Sequence, residues 1–195
     1  MFDLKERLKN FDVILASGSP RRKELFSFIC DDYKIIPAVK DEVVDNSLEL
    51  NKIPKVLAYN KCREVAQQNP DSLVVGCDTV VAYNNVIMGK PKDKSDAFDM
   101  LKKLSGKTHE VISGTSVYFK GKYINFSTVT KVTFKELSDN DIRAYIATGE
   151  PNDKAGAYGI QGLGCMLVKG IEGDYFNVVG LAVSELADLL DKVID

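Results

Sequence analysis

The segment from Leu73 to Val81 most restricts how this chain can fold. It is a nearly continuous apolar run of strand length, and such runs are typical of central strands that are buried on both faces of a sheet. Asp78 interrupts the run, and an ionised carboxylate is costly there unless it is paired, hydrogen-bonded or bound to a metal ion. We therefore expect Asp78 to have a function. The alternative is an aspartate at the end of the strand that accepts backbone N–H hydrogen bonds.

Elsewhere the apolar residues alternate between strand and helix periods. Asn84-Asn85 and Lys120-Gly121-Lys122 are typical of hairpin turns, and Ser138 with Asp141 has the spacing of a capping box. This order predicts an α/β (α+β) fold with a mixed twisted sheet, flanking helices and two lobes around a central cleft, in a single domain over residues 1–195. Further strands are predicted at 13–16, 33–38, 111–119, 123–134 and 165–168, and helices at 21–29, 54–67, 95–104, 138–149 and from 184 onwards.

The composition excludes several classes of protein. The 195 residues carry a net charge of −2, so the broad positive surface that binds duplex nucleic acid is not expected. No apolar run is long enough to span a bilayer, and residues 1–10 lack the apolar stretch of a signal peptide. The four cysteines are far apart and form no C-x-x-C pair, which favours structural thiols and a reducing, cytoplasmic location.

The segment Ser17-Gly18-Ser19-Pro20-Arg21-Arg22 is typical of an anion site. Pro20 suits the first turn of a helix, with Ser19 as its N-cap. Arg21 and Arg22 then lie where the helix dipole is already positive, which is unfavourable unless an anion binds. Two arginines at a helix start favour phosphate. The alternative is a solvated helix start with both arginines in water.

Two lysines support this interpretation, and each has a structural alternative. Lys61 falls within the apolar arc of its predicted helix, so it either extends along the surface to water or meets an anion. Lys90 follows the predicted hairpin strand, which would return it towards the level of Asp78. A lysine in a solvated turn explains the position of Lys90 equally well.

The segment from Gly149 to Gly162 has the composition of a ligand-contacting loop. Its glycines allow close approach to a ligand, Tyr158 offers a ring for stacking, and Gln161 offers an amide donor and acceptor. Lys154 in this loop is a further candidate for substrate binding. We expect that a metal ion would use oxygen ligands, because the single histidine, His109, is expected to be structural.

Several motifs together resemble the family of Maf-like nucleoside triphosphate pyrophosphatases. The resemblance covers nearly the whole chain, and the motifs keep the family's order. They are LASGSPRRKELF at 15–26, GCDTVV at 76–81, GKP at 89–91, LSGKTHEV at 104–111, YIATGEPNDKAGAYGIQG at 145–162 and GDYFNVVGL at 173–181. Asp-Thr at 78–79 and GIQG at 159–162 resemble the branch that acts on thymidine and uridine triphosphates. Ala182 departs from the proline that the family often has there.

The resemblance implies a cytoplasmic enzyme that cleaves a nucleoside triphosphate between its α- and β-phosphates with Mg²⁺ or Mn²⁺. It implies that Asp78 accepts a proton. Asp78 and Glu42, which lies in an acidic loop, are predicted to hold the metal, and the alternative for this loop is a solvated charged segment. It also implies that Arg21, Thr79 and Gln161 determine specificity, and it is compatible with a homodimer. Lys61 and Lys90 are predicted to be catalytic together with Asp78, through their contacts with the phosphates. The other residues predicted to bind substrate are Ser17, Arg22 and Lys154.

Two other functions stay open at this point. One is a pyrophosphatase for modified or non-standard purine nucleotides. The other is a non-catalytic nucleotide-binding protein in cell-division control, which would bind nucleotide without metal-dependent hydrolysis. The combination of Asp78, Lys61 and Lys90 argues against the second alternative, because a pure adaptor needs no buried carboxylate beside cations.

Overall fold

The computed structural model describes residues 3–40 and 48–195. The helices are α1 (Leu4–Leu8), α2 (Pro20–Phe26), α3 (Ile53–Ala66), α4 (Lys94–Leu104), α5 (Asp139–Ala147), α6 (Tyr175–Val179) and α7 (Val183–Val193). The strands are β1 (Val13–Leu15), β2 (Lys34–Ile35), β3 (Leu73–Tyr83), β4 (Val86–Met88), β5 (Thr108–Phe119), β6 (Lys122–Phe134) and β7 (Val168–Glu172). Short 3₁₀ helices cover Glu150–Asp153, Ala155–Ala157 and Gly162–Leu167.

The strands in the described ranges form one mixed sheet in the order β2-β1-β3-β5-β6-β7, with β4 paired to β3. β1 pairs in parallel with both β2 and β3, whereas β4 pairs antiparallel with β3 and β7 antiparallel with β6. β1 is buried throughout, and so is β3 from Leu73 to Asp78, as expected of parallel strands covered on both faces. The predicted mixed α/β fold with flanking helices is confirmed.

The chain divides into two compact units. The first unit consists of Met1–Asp78, Ser113–Thr128 and Gly180–Asp195. The second unit consists of Thr79–Ile112 and Val129–Val179. The expectation of a single domain over residues 1–195 stays a prediction.

In the first unit, α3 packs directly onto glycines of the sheet. A Cβ atom on Gly76 would lie 2.6 Å from the carbonyl oxygen of Ala58, and one on Gly114 would lie 2.1 Å from that of Pro54. Any side chain at either position would therefore collide with the backbone of α3. The absence of a side chain at Gly76 therefore allows the backbone of α3 to approach the sheet closely.

The second unit contains one turn and one helix cap that the sequence predicts correctly. Asn84 and Asn85 have φ values of 49° and 60°, the pattern of a type I′ turn between β3 and β4. Ser138 and Asp141 form the predicted capping box at the start of α5, each side chain accepting a hydrogen bond from the other residue's backbone N–H. The core beneath these elements includes Leu101, Leu104, Val132, Phe134 and Ile142.

His109 belongs to the core of the second unit. It is 2% exposed, its Nε2 atom shares a 2.7 Å hydrogen bond with the Tyr158 hydroxyl, and its ring meets Phe134 edge-on. Its Nδ1 atom has no hydrogen-bond partner in the part of the chain that the structure describes. The prediction that Tyr158 stacks on a ligand is wrong, because this ring is buried against His109 and Phe134.

We expect His109 to make the protein less stable in mild acid. Burial lowers the pKa of His109 from 6.5 to about 4, so between these values the unfolded chain binds a proton that the folded protein excludes. Stability is therefore fully present above pH 6.5 and falls by about 3 kcal/mol as the pH drops towards 4. Urea unfolding at a series of pH values measures this loss.

His109→Gln is the matched variant, because glutamine does not titrate in this range. The difference in unfolding free energy between wild type and His109→Gln should shift by that amount across the same window. An identical pH dependence in both proteins would show that the folded protein accepts the proton.

The structure corrects several local predictions. The strand predicted at 165–168 is instead the end of a 3₁₀ helix, and β7 begins only at Val168. The strand predicted at 33–38 is reduced to β2, because Pro37 has no N–H to extend the ladder. α2 ends at Phe26 rather than at residue 29. The helices α1 and α6 were missed, since 5 residues are too few to show a helical period.

The cysteines form no disulfide. All four are free thiols, and only Cys165 is exposed. Burial raises the pKa of the Cys62 thiol to about 12, which keeps it protonated and unreactive.

Within residues 3–40 and 48–195, no helix has the length and apolar character that crossing a membrane requires.

Candidate active site

Asp78 lies in the middle of β3, and Lys61 on α3 reaches it. The Lys61 Nζ atom donates a hydrogen bond to Asp78 Oδ1 at 2.6 Å. The two side chains are 18% and 10% exposed, respectively, so removing either partner would leave a poorly solvated charge. The structure therefore favours the interpretation in which Lys61 binds an anion. The alternative in which Asp78 ends its strand is wrong, because β3 continues to Tyr83.

The packing of α3 accounts for this ion pair. Ala58 and Cys62 of α3 lie against Gly76 of β3, and Lys61 directly precedes Cys62. Gly76 and Asp78 are two residues apart on the strand, so they face the same side of the sheet. The missing side chain at Gly76 lets α3 come close enough for the Lys61 ammonium group to reach the Asp78 carboxylate.

The turn into α2 is organised around Ser17. Its Oγ atom accepts hydrogen bonds from Arg22 NH1 at 3.3 Å and from the Ser19 amide at 3.4 Å. Arg22 Nε also donates to the Gly180 carbonyl oxygen at 3.0 Å. Ser19 occupies the predicted N-cap position, but its side chain makes no capping hydrogen bond. Arg21, the first of the two arginines, is only partly exposed.

Arg22 and Lys61 both act on the same part of β3. Burial raises the pKa of the Cys77 thiol, whereas the positive charges of Arg22 and Lys61 lower it. Cys77 directly precedes Asp78. Both positive charges therefore act on the residue next to the buried carboxylate, and Lys61 also binds that carboxylate directly.

In the second unit, Lys90 follows β4 and lies beside the glycine-rich loop. β4 pairs Met88 with Val81, so the chain beyond Met88 leads back along β3 in the direction of Thr79. The Gly89 carbonyl oxygen accepts a hydrogen bond from the Gly156 amide at 3.0 Å. Lys90 itself is exposed. Its segment is therefore anchored to the loop rather than being an isolated turn.

Lys154 and Gln161 differ in what they contact within that loop. The Lys154 ammonium group donates to the Glu150 carbonyl oxygen at 2.6 Å and to Asp153 Oδ1 at 2.7 Å, so its charge organises the loop. Gln161 is partly exposed, and its side chain makes no hydrogen bond with any residue that the structure describes. Contact of either residue with substrate stays a prediction.

Glu150 is a well-connected residue that the sequence analysis missed. Its carboxylate accepts hydrogen bonds from the Tyr145 hydroxyl and from the amides of Leu163 and Gly164, at 2.9, 2.9 and 3.0 Å. Burial favours the neutral form, but these hydrogen bonds outweigh it, and the pKa of Glu150 is lowered. No periodicity or spacing marks it, because its partners are 5 to 14 residues away in the chain.

The residues present fit a hard divalent cation in type. Asp78 offers a buried carboxylate, and Mg²⁺ is commonly held by one or two carboxylates together with substrate phosphates. Glu42, the second predicted metal ligand, lies outside the described residues. Among the residues that are described, no three His, Cys, Asp or Glu side chains are grouped to hold a metal ion.

A family model and named relatives agree with the resemblance noted in the sequence. A family model described as Maf-like protein matches residues 12–193. Relatives from Bacillus anthracis and Bacillus cereus (strain AH187), both named dTTP/UTP pyrophosphatase, are 47% identical over 174 residues, which is 89% of this chain and 91% of theirs. The solved structure of the Staphylococcus aureus Ham1 protein matches 64% of this chain and 72% of its own, with a TM-score of 0.47 and 15% identity. Because the family model spans nearly the entire sequence, we conclude that the chain belongs to the Maf-like protein family.

Proposed function

We propose that this protein is a nucleoside triphosphate pyrophosphatase that hydrolyses dTTP and UTP to the monophosphate and pyrophosphate. The observation that carries the proposal is the buried ion pair of Asp78 and Lys61, at 2.6 Å. A cation beside a carboxylate suits a reaction in which a polyanion must be bound next to a proton acceptor. Relatives that are 47% identical over most of the chain bear the name of this activity.

In the proposed reaction, a water molecule attacks the α-phosphorus and the bond to the oxygen bridging the α- and β-phosphates breaks. Asp78 accepts the proton of the attacking water, and pyrophosphate leaves with the bridging oxygen. Lys61, Arg22 and Lys90 bind phosphate oxygens and neutralise the charge that builds up on them. Positioning and electrostatic stabilisation therefore provide most of the rate enhancement.

The proposed cofactor is Mg²⁺ or Mn²⁺, held by Asp78 and Glu42. When bound, such an ion neutralises phosphate charge and supports the attack of water. The oxygen chemistry of the two carboxylates matches this choice better than zinc, whose usual ligands are cysteine and histidine.

The remaining predicted residues are proposed to recognise the rest of the substrate. Arg21, Thr79 and Gln161 determine which base is accepted. Ser17 and Lys154 contribute to substrate binding through the segments that they organise, since their polar atoms bind neighbouring groups of the protein.

Hydrolysis of a panel of nucleoside triphosphates tests this function. We expect pyrophosphate release from dTTP and UTP with added Mg²⁺ or Mn²⁺, and none after chelation of the metal. Preferred turnover of ITP or methylated GTP would support instead the enzyme that removes modified purine nucleotides. Tight nucleotide binding without hydrolysis would support the non-catalytic protein of cell-division control.

We also propose a cytoplasmic location, because the proposed substrates belong to the intracellular nucleotide pool. A homodimer is the proposed assembly, and its mass in solution is measurable by light scattering.

A further inference from the structure

Glu150 binds the backbone directly after Gln161. Its Oε2 atom accepts from the Leu163 amide at 2.9 Å, and its Oε1 atom accepts from the Gly164 amide at 3.0 Å. Gly162 lies against the same carboxylate, because a Cβ atom there would be 2.8 Å from Oε2. Gly162 also has a φ of +65°, which favours glycine. The backbone at Gly162 therefore packs directly against the Glu150 carboxylate and leaves no room for a side chain.

Tyr145 connects the same carboxylate to the backbone ahead of Gln161. Its hydroxyl donates to Glu150 Oε1 at 2.9 Å and accepts from the Gly159 amide at 3.3 Å. Tyr145 is 5% exposed, and burial raises the pKa of its hydroxyl, so the group remains a donor at neutral pH. The pair of Glu150 and Tyr145 thus holds residues 160–162 at both ends.

Between these two anchors the backbone is held in place, whereas the Gln161 side chain makes no hydrogen bond with the described residues. Ile160 is buried at 8% exposure. Gln161 has an extended backbone, with φ −81° and ψ 163°, and its amide has no hydrogen-bond partner among the described residues. An amide on a fixed backbone can meet a donor and an acceptor on a ligand with little loss of entropy.

We propose that Glu150 is a positioning residue for base selection, which fixes the direction in which Gln161 presents its amide to a uracil-type base. This inference rests on the proposed function, because it takes Gln161 as the residue that reads the base. A charged acceptor suits the role, since hydrogen bonds to a carboxylate are stronger than those to a neutral group. In Glu150→Gln, one of the two oxygens becomes an NH₂ group that faces N–H or O–H donors, so at least one anchor is lost.

Steady-state kinetics with dTTP and dCTP test the proposal, because the two bases carry different groups at the edge that an amide would read. We expect Glu150→Gln to lower kcat/KM for dTTP about tenfold, mainly through a higher KM, and to weaken the preference for dTTP over dCTP. Glu172→Gln is the matched control, because its exposed carboxylate lies 3.7 Å from Lys131 at the surface, and it should behave as wild type. An unchanged preference in Glu150→Gln would overturn the proposal.

The double variant Glu150→Gln/Gln161→Ala separates positioning from general loosening of the loop. If Glu150 acts through Gln161, the double variant should have the same base preference as Gln161→Ala alone. If the two substitutions reduce the base preference independently, the loss in the double variant equals the product of the two single losses, and that result would overturn the proposal.

Amide hydrogen exchange measures, in the absence of nucleotide, how firmly Glu150 and Tyr145 hold the backbone on either side of Gln161. We expect the amides of Gly159, Leu163 and Gly164 to exchange faster in Glu150→Gln than in wild type. Wild-type protection in the variant would overturn the proposal even if the enzyme hydrolyses dTTP. If the wild-type protein hydrolyses no pyrimidine nucleotide, the proposed function fails, and faster exchange would still establish the anchoring.

Discussion

Asp78→Asn should reduce pyrophosphate release from dTTP by roughly 10²- to 10⁴-fold, the usual contribution of a general base. An amide cannot accept the proton of the attacking water, and it carries no charge for a metal ion. Its oxygen can still accept a hydrogen bond from Lys61, which donates to the aspartate at 2.6 Å in the structure. We therefore expect the variant to fold, and kcat to fall more than KM changes.

Asp139→Asn is the control for this experiment. It also removes a carboxylate that accepts from a lysine at 2.6 Å, but both side chains of that pair are 55% exposed, so little change in turnover or stability is expected. Circular dichroism and thermal unfolding of both variants distinguish lost chemistry from lost structure. Turnover near the wild-type level in Asp78→Asn would refute the role assigned to this carboxylate.

The second large effect is expected for Gly114→Ala, which should destabilise the protein by about 3 kcal/mol or more. The new Cβ atom would lie 2.1 Å from the Pro54 carbonyl oxygen. Backbone cannot move aside as a flexible side chain can, so α3 and β5 must separate. A displaced α3 also moves Lys61 away from Asp78, so the fraction of Gly114→Ala that remains folded should hydrolyse dTTP more slowly than wild type. Urea unfolding measures the first effect and pyrophosphate release the second.

Gly170→Ala is the matched glycine variant. It also lies in a strand, β7, but a Cβ atom there would meet nothing within 4 Å. The same substitution should therefore be neutral or slightly stabilising, since alanine restricts the unfolded chain more than glycine does. Equal stability of Gly114→Ala and wild type would mean that the Pro54 carbonyl oxygen of α3 does not lie against Gly114 of β5.

Sequence patterns predicted well those features that depend on neighbouring residues. The buried strand β3, the Asn84-Asn85 hairpin and the capping box of α5 each follow from local periodicity or turn chemistry, and each is present. Sequence patterns were less successful for side chains whose environment depends on tertiary contacts. Tyr158 looked like a ligand-binding ring because a glycine-rich segment surrounds it, yet it packs into the core against His109 and Phe134.

The amino-acid sequence by itself determined the alternation of strands and helices and identified Asp78 as an anomaly, because the cost of burying a carboxylate is local and can be recognised from its apolar neighbours. Only the tertiary structure decided between the alternatives for Lys61. The direction of its side chain depends on how closely α3 approaches Gly76, 15 residues further along the chain. The same holds for Glu150, whose three donors come together only in the folded loop. Contacts between residues that are distant in sequence leave no periodic signal, since they are set by packing rather than by local conformation.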